Sequence, residues 1–241
     1  IFLLAGAIGI LLGAFNAAII YFFRIPSIIT TIATSNVFYG ILTVLSEGKW
    51  LYGFPTWFGD FANIRLFTLY SPAGNPYGLS IVTVIWLALV LLAWFILRYT
   101  VLGRSIYAMG GSPSSAERAG FNLLRLNLFV YAFIGLMAGF GSVIQALLVQ
   151  TVAPNSLVGK EMDVIAAVVL GGASLAGGTG SIMGTVLGVA LITLLGNGLT
   201  LMHVPSQWYD VVIGLVILVS VGVSAYRMRK NIQRRVITET A

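Results

Sequence analysis

Long uninterrupted apolar segments dominate this sequence and limit the folds available to it. Segments near the ~20 residues that a helix needs to cross a bilayer lie at 1–23, 26–46, 79–97, 126–149, 181–199 and 206–225. A seventh segment, 161–177, is shorter and interrupted by glycine. Because 59% of the residues are hydrophobic and only 8% are charged, a soluble domain would expose too much apolar surface to water. The sequence therefore predicts an all-α polytopic transmembrane bundle of about seven membrane segments.

Basic residues indicate the side of the membrane on which each connection lies. Of the thirteen lysines and arginines, only Lys49, Arg65 and Lys160 fall on one side if the seventh segment is counted as a crossing. The others follow the first segment or lie in the loop 98–125 and the tail 226–241, and such an excess marks the cytoplasmic side. We therefore predict a cytosolic loop and a basic cytosolic tail. Membrane topology explains the net charge of +6 more simply than nucleic-acid binding does.

One transmembrane domain over 1–241 is the predicted organisation. The first residue, Ile1, lies inside an apolar run with no preceding Met or charged leader, so we expect N-terminal spans to be missing. The outer loop 47–78 is rich in tryptophan and tyrosine. These aromatics indicate an interfacial belt or, as an alternative, a docking surface for an external protein.

The loop 98–125 is the long charged stretch between apolar segments on the cytosolic side. Ser114 could cap a short helix, Glu117 three residues later could complete a capping box, and Gly120 would end the helix. A helix of little more than one turn does not hold together alone in water, so we expect it to be ordered by docking. This part of the loop is a candidate contact for a cytosolic partner.

Glycines recur at four-residue spacing within the apolar segments, which predicts faces that let helix backbones approach closely in lipid. These glycines are Gly9 and Gly13, Gly135 and Gly139, and Gly180, Gly184 and Gly188. The densest cluster, 170–184, lacks the Gly-Lys-Ser or Gly-Lys-Thr of a phosphate loop. It predicts either a tight turn between two helices or an interrupted helix beside a translocation path.

Polar side chains inside the apolar segments are few and form no chain of charges. Asp163 and Asp210 fall near the predicted outer ends of their segments, which indicates helix-end roles. The hydroxyls in the run 30–36 either bond back to their own helix or give a neutral lining suited to an uncharged polyhydroxyl solute. Asn36 and Asn197 are the candidate cavity residues. Because cysteine is absent and there is one histidine, we expect neither a metal site nor a hydrolytic centre.

Three motifs of the chain are distinctive: RIPSIITTIAT, TVLGRSIYAMGGSPSSAERAGF and DVIAAVVLGGASLAGGTGSIMGTVLG. They resemble motifs of the membrane permease subunits of bacterial ABC importers for monosaccharides, of the ribose, xylose and galactose type. The permeases that import autoinducer-2 look similar too, and the outer stretch GKWLYGFP resembles theirs. The resemblance covers essentially the whole chain and implies a multi-pass protein of the bacterial inner membrane.

The resemblance implies a permease that is not itself an enzyme and depends on partners. These are two cytosolic ATP-binding subunits that bind ATP and magnesium, a second permease, identical or related, a periplasmic sugar-binding protein and the surrounding membrane lipid. Carried over to this sequence, the ATPase contact would comprise Ser114, Ser115, Ala116, Glu117, Arg118, Ala119 and Gly120. The competing hypotheses are a secondary carrier for a small neutral solute, which the lack of buried charges disfavours, and an intramembrane enzyme, for which no catalytic constellation is found.

Overall fold

Helices make up nearly all of the regular structure in the computed structural model, which describes residues 1–67, 69–70, 76–205 and 207–222. In chain order the elements are α1 (Phe2–Phe23), α2 (Ser27–Leu45), α3 (Thr56–Asn63), β1 (Leu69–Tyr70), β2 (Pro76–Tyr77), α4 (Ile81–Tyr99), α5 (Val101–Gly111), α6 (Pro113–Arg118), α7 (Leu123–Val149), α8 (Lys160–Leu170), α9 (Ile182–Leu201) and α10 (Gln207–Gly222). The predicted all-α polytopic fold is confirmed. The predicted tail 226–241 and part of the predicted loop 47–78 lie outside the described residues.

Five helices, α1, α2, α4, α7 and α9, are long and apolar enough to cross a membrane. Each coincides with a predicted apolar segment to within a few residues. Polar side chains fix where three of them begin. The side-chain oxygen of Asn122 accepts from the N–H of Arg125 at 3.0 Å, that of Ser181 accepts from Gly184 at 3.0 Å, and Ser80 caps α4 in the same way.

The seventh apolar segment is divided in two. α8 has eleven residues, which at about 1.5 Å per residue is roughly half of the ~30 Å hydrocarbon core. The chain from 171 to 181 is not helical, and α9 begins directly after it. The predicted interruption by glycine is therefore confirmed, and the irregular backbone falls on the cluster 170–184.

The chain forms two compact units, one of residues 1–106 with 114–157 and one of residues 107–113 with the chain from 158 onwards. The organisation as one domain over 1–241 stays a prediction. Each unit has its own helix pair at its centre.

In the first unit, α1 packs against α7 through glycine. A Cβ atom at Gly9 would overlap the carbonyl oxygen of Gly135, and one at Gly13 would overlap that of Tyr131. Two helix backbones can approach this closely only where side chains are missing from the contact face. The predicted packing role of these four-residue glycine spacings is confirmed.

Two connections of the first unit lie on the same side of the helices. The backbone N–H of Leu51 donates to the carbonyl of Val152 at 2.9 Å, and the reverse bond is 3.1 Å. Leu51 belongs to the predicted outer loop and Val152 follows α7, so this bridge agrees with the charge-based orientation. The short helix α3 covers the same end with Phe58, which is buried against Val143 and Leu147 of α7.

In the second unit, α8 packs against α9 in the same manner. A Cβ at Gly188 would overlap the carbonyl oxygen of Ala167, and one at Gly184 would overlap that of Gly171. A small core that includes Ala167 and Ile192 joins α10 to this pair through Ile213, with Tyr209 packed against its edge.

We predict that the glycine contact between α1 and α7 is required for the stability of the first unit. Gly135→Ala should lower the free energy of unfolding by about 1–3 kcal/mol, because its Cβ would overlap backbone and force the helices apart. Gly141→Ala on the same helix is the matched control, since a Cβ there meets nothing within 4 Å. Thermal unfolding of both variants in detergent tests this; equal melting temperatures would contradict it.

Candidate functional site

The cytosolic loop predicted at 98–125 is largely helical. α5 continues to Gly111, and α6 begins at Pro113 after the single residue Ser112. The expectation that Ser114 caps this helix is wrong, because the helix already includes Ser114. Proline suits the first helical position, because its fixed φ matches that of a helix and an N–H at this position would have no partner within the helix. The predicted Gly110–Gly111 break coincides with the end of α5.

Gly120 ends α6, as predicted. Its φ of 86° lies in the left-handed region, where glycine carries no steric penalty. Its N–H donates to the carbonyl of Glu117 at 2.9 Å, and the N–H of Phe121 donates to that of Ala116 at 3.1 Å. This pair of bonds is a Schellman motif, which satisfies carbonyls that the helix end would otherwise leave open.

α6 presents most of the residues that the sequence assigned to the ATPase contact. Ala116 is buried, with 2% of its surface exposed. The other six are exposed: Ser114, Ser115, Glu117, Arg118, Ala119 and Gly120. Ala116 is the buried residue of this six-residue helix.

A glycine-rich turn connects α8 to α9. Gly172 has a φ of 86° and ends α8 with the same Schellman bonds as those at Gly120. Within the turn, the N–H of Ser174 donates to the carbonyl of Thr179 at 3.0 Å, and that of Gly177 donates to Ser174 at 3.0 Å. The turn is therefore closed by its own backbone hydrogen bonds.

The end of α5 packs on this turn, backbone against backbone. A Cβ at Gly110 would lie 2.7 Å from the backbone nitrogen of Gly178, closer than such atoms approach in proteins. Nearby, the hydroxyl of Tyr107 donates to the carbonyl of Gly180 at 3.0 Å. Because Gly110 belongs to the predicted cytosolic loop, the turn lies on that side too. This contact agrees with the prediction that 161–177 counts as a crossing.

A cavity of about 660 Å³ opens among α8, α9 and α10, at the end of the second unit where Lys160 lies. Charge places that end on the outer side. The polar residues of its lining are Lys160, Asp163, Thr193, Asn197, Thr200, Gln207, Tyr209 and Asp210. A volume of this order suits a small solute, since ligand pockets typically measure about 300–1,000 Å³.

Asp163 organises the mouth of the cavity. Its Oδ2 accepts from the ammonium group of Lys160 at 2.9 Å and from the hydroxyl of Tyr209 at 3.2 Å. The ammonium group also lies 5.3 Å from the centre of the Tyr209 ring, a cation–π distance. The hydrogen bond to Asp163 raises the pKa of Lys160, which precedes the apolar segment. Asp163 lies in the first turn of α8, and its predicted helix-end role is confirmed.

The two candidate cavity residues differ in their surroundings. Asn197 lines the cavity. Asn36 lies on α2, where its side-chain nitrogen donates to the carbonyl of Ile32 at 3.0 Å. Thr31 and Thr34 also bond to carbonyls of the preceding turn, at 2.9 and 3.0 Å. The predicted back-bonding of the run 30–36 is confirmed.

Lys160 and Tyr209 of the cavity were not identified from the sequence. The Lys160–Asp163 pair has the i,i+3 spacing that brings two side chains together on a helix, which is a local signal for their contact. Tyr209 is 46 residues from Asp163, and no local pattern predicts that pairing.

The family model of the branched-chain amino acid transport system permease component matches residues 1–221 of the chain. The chain belongs to this permease family. It is thus a membrane permease subunit and a multi-pass protein of the cell inner membrane.

Relatives of this permease include both kinds named by the sequence resemblance, which is confirmed. The autoinducer 2 import system permease protein LsrC of Yersinia pseudotuberculosis is 34% identical over 239 residues, covering 97% of this chain and 64% of that protein. The ribose import permease protein RbsC of Haemophilus influenzae is 34% identical over 227 residues, covering 93% of this chain and 68% of that protein. The chain thus spans 64% of the length of the LsrC permeases. No solved structure matches it.

We predict that Asp163 stabilises the second unit through its two partners. Asp163→Asn should lower the free energy of unfolding by about 1 kcal/mol, because it weakens the half-exposed bridge to Lys160 and the bond from Tyr209. Glu161→Gln removes the same charge from the same helical turn and should change stability by less than about 0.5 kcal/mol. Chemical denaturation in detergent measures the free energy of unfolding of both variants. An equal loss of stability in the two would show that only a negative charge in the first turn of the helix matters, and it would refute the prediction.

Proposed function

We propose that this permease is the membrane subunit of an ATP-driven ABC importer that carries a monosaccharide such as ribose inwards. The observation that carries the proposal is α6, a short exposed helix on the predicted cytosolic side, fixed at one end by proline and at the other by a Schellman motif. Such a helix can enter a groove on a partner with little loss of conformational freedom, since its ends are already ordered.

The partner at α6 is proposed to be a cytosolic ATP-binding subunit. The permease sequence contains no Gly-Lys-Ser or Gly-Lys-Thr phosphate loop, so ATP and magnesium would bind on that partner. ATP can then shift the permease between two arrangements only through contacts that differ between them. The contact comprises Ser114, Ser115, Glu117, Arg118, Ala119 and Gly120, with Ala116 anchoring the helix from behind.

The remaining partners follow from the same proposal. A second permease subunit, identical or related, would complete the path through the membrane, and a periplasmic sugar-binding protein would deliver the solute to the outer side. The cavity is the proposed solute-facing region of this chain. Asn197 supplies an amide that can both donate to and accept from sugar hydroxyls, and Asn36 remains the second candidate.

An autoinducer-2 importer is the second candidate function. It is supported by the LsrC relatives, which match 97% of the chain at 34% identity. The ribose permease relative has the same identity to the chain, 34%. The choice between them therefore depends on measurement of the cargo itself.

We predict that α6 is required for ATP-dependent uptake. Glu117→Lys reverses an exposed charge on α6, and Gly120→Val places a β-branched residue at a φ of 86°, which costs about 1–3 kcal/mol of local strain. Both should leave the protein inserted and reduce uptake in reconstituted vesicles by at least about tenfold.

Gly48→Val is the control for Gly120→Val. Gly48 also has a positive φ, 68°, with nothing within 4 Å of a Cβ, but it lies in the outer loop. Uptake by the Gly48→Val variant should match that of the wild type. Normal uptake by Glu117→Lys and Gly120→Val would refute the coupling role of α6.

Co-purification and transport with each cargo test the proposed class. A tagged wild-type permease should bring down an ATP-binding subunit, and vesicles holding that complex should accumulate labelled ribose or autoinducer-2 only when ATP is enclosed. Uptake by the permease alone that stops when the ion gradient is collapsed would instead indicate a secondary carrier.

A further inference from the structure

We infer that the end of α5 and the glycine-rich turn form a rigid link that transmits movement of the end of α5 to the α8–α9 pair. Tyr107, Gly110 and Gly178 act as positioning residues in this link. The inference rests on the proposed function, because it concerns how force applied at α6 reaches the solute path. It assigns a role to contacts that lie outside both the ATPase contact and the cavity.

The first connection is the contact between two pieces of backbone. A Cβ at Gly110 would lie 2.7 Å from the nitrogen of Gly178, and one at Gly178 would lie 2.9 Å from the Cα of Gly111. Side chains at a contact can absorb a small displacement by changing rotamer. Backbone in direct contact has no such freedom, so a shift of one segment displaces the other.

The second connection is a long-range hydrogen bond. The Tyr107 hydroxyl donates to the carbonyl of Gly180 at 3.0 Å. Gly180 directly precedes Ser181, whose hydroxyl caps the first turn of α9. Tyr107 lies one helical turn before Gly111, so two successive parts of α5 hold the turn. Two separated points of attachment resist rotation as well as translation.

The link is continuous in sequence with α6 on one side and in contact with α8 and α9 on the other. On the cytosolic side, only Ser112 separates α5 from α6, and Pro113 fixes the backbone that follows. On the membrane side, the close contacts of Gly184 and Gly188 make α9 move together with α8. A displacement of the end of α5 therefore reaches α8 and α9, two helices that line the cavity.

Paired alanine substitutions in the complete importer test this inference. In Gly110→Ala, the added methyl group would overlap the turn, whereas in Gly111→Ala the nearest atom is Gly178 Cα at 4.0 Å, an ordinary contact. Both substitutions suit a helix. We expect Gly110→Ala to assemble with the ATPase and hydrolyse ATP, but to lose at least about tenfold in solute imported per ATP hydrolysed. Gly111→Ala should remain within about twofold of the wild type.

Tyr107→Phe is the second variant, because it removes the hydrogen bond and keeps the ring in place. It should reduce solute imported per ATP by about three- to tenfold, with unchanged complex assembly. If the importer with Gly110→Ala fails to assemble, transport per ATP by Tyr107→Phe alone tests the inference. Unchanged transport per ATP in Tyr107→Phe, or equal losses in Gly110→Ala and Gly111→Ala, would overturn the inference. Failure of the proposed function is distinct, since the wild type itself would then show no ATP-driven uptake.

Discussion

Close approach of helix backbones at glycine is the interaction on which the described structure depends. Lipid chains are as apolar as leucine, so the hydrophobic effect supplies little force to hold membrane helices together. Packing contacts must therefore hold the helices together, and two helix backbones come closest where a side chain is absent. The contacts of Gly9 with Gly135 in one unit and of Gly188 with Ala167 in the other follow this rule. The contact of Gly110 with Gly178 extends it from helix pairs to a turn.

The same local motif defines two functional boundaries. Gly120 ends α6 and Gly172 ends α8, each with a φ of 86° and the same two backbone hydrogen bonds. In each case the motif stops a helix sharply and satisfies its last carbonyls without help from side chains. α6 can therefore be short and exposed, and α8 can end after eleven residues.

The sequence predicted the features that local chemistry controls. The apolar segments, the stop at Gly120, the packing glycines and the back-bonded hydroxyls on α2 all follow from periodicity, propensity or spacing. The predicted cap at Ser114 was wrong because two local signals competed. Pro113 suits the first helical position, and the helix starts two residues earlier than predicted. Boundaries of this kind are the least secure part of any prediction from sequence.

Contacts between distant parts of the chain could not be predicted in the same way. The Tyr107–Gly180 bond joins residues 73 apart, and the Asp163–Tyr209 bond joins residues 46 apart. Neither leaves a periodic signal, because the partners meet only after the helices have packed. The glycine cluster 170–184 indicated an irregular turn, yet nothing local indicated that Gly110 would lie against it.

The single residue between α5 and α6 constrains the length of this loop as well as its composition. Each residue of an α-helix turns the chain by about 100°, so an insertion or deletion here would rotate α6 about its axis. The buried position of Ala116, which is 2% exposed, would then be taken by a serine or by Glu117. Burying a charged carboxylate without a partner is costly. Homologous loops should therefore keep their residue count.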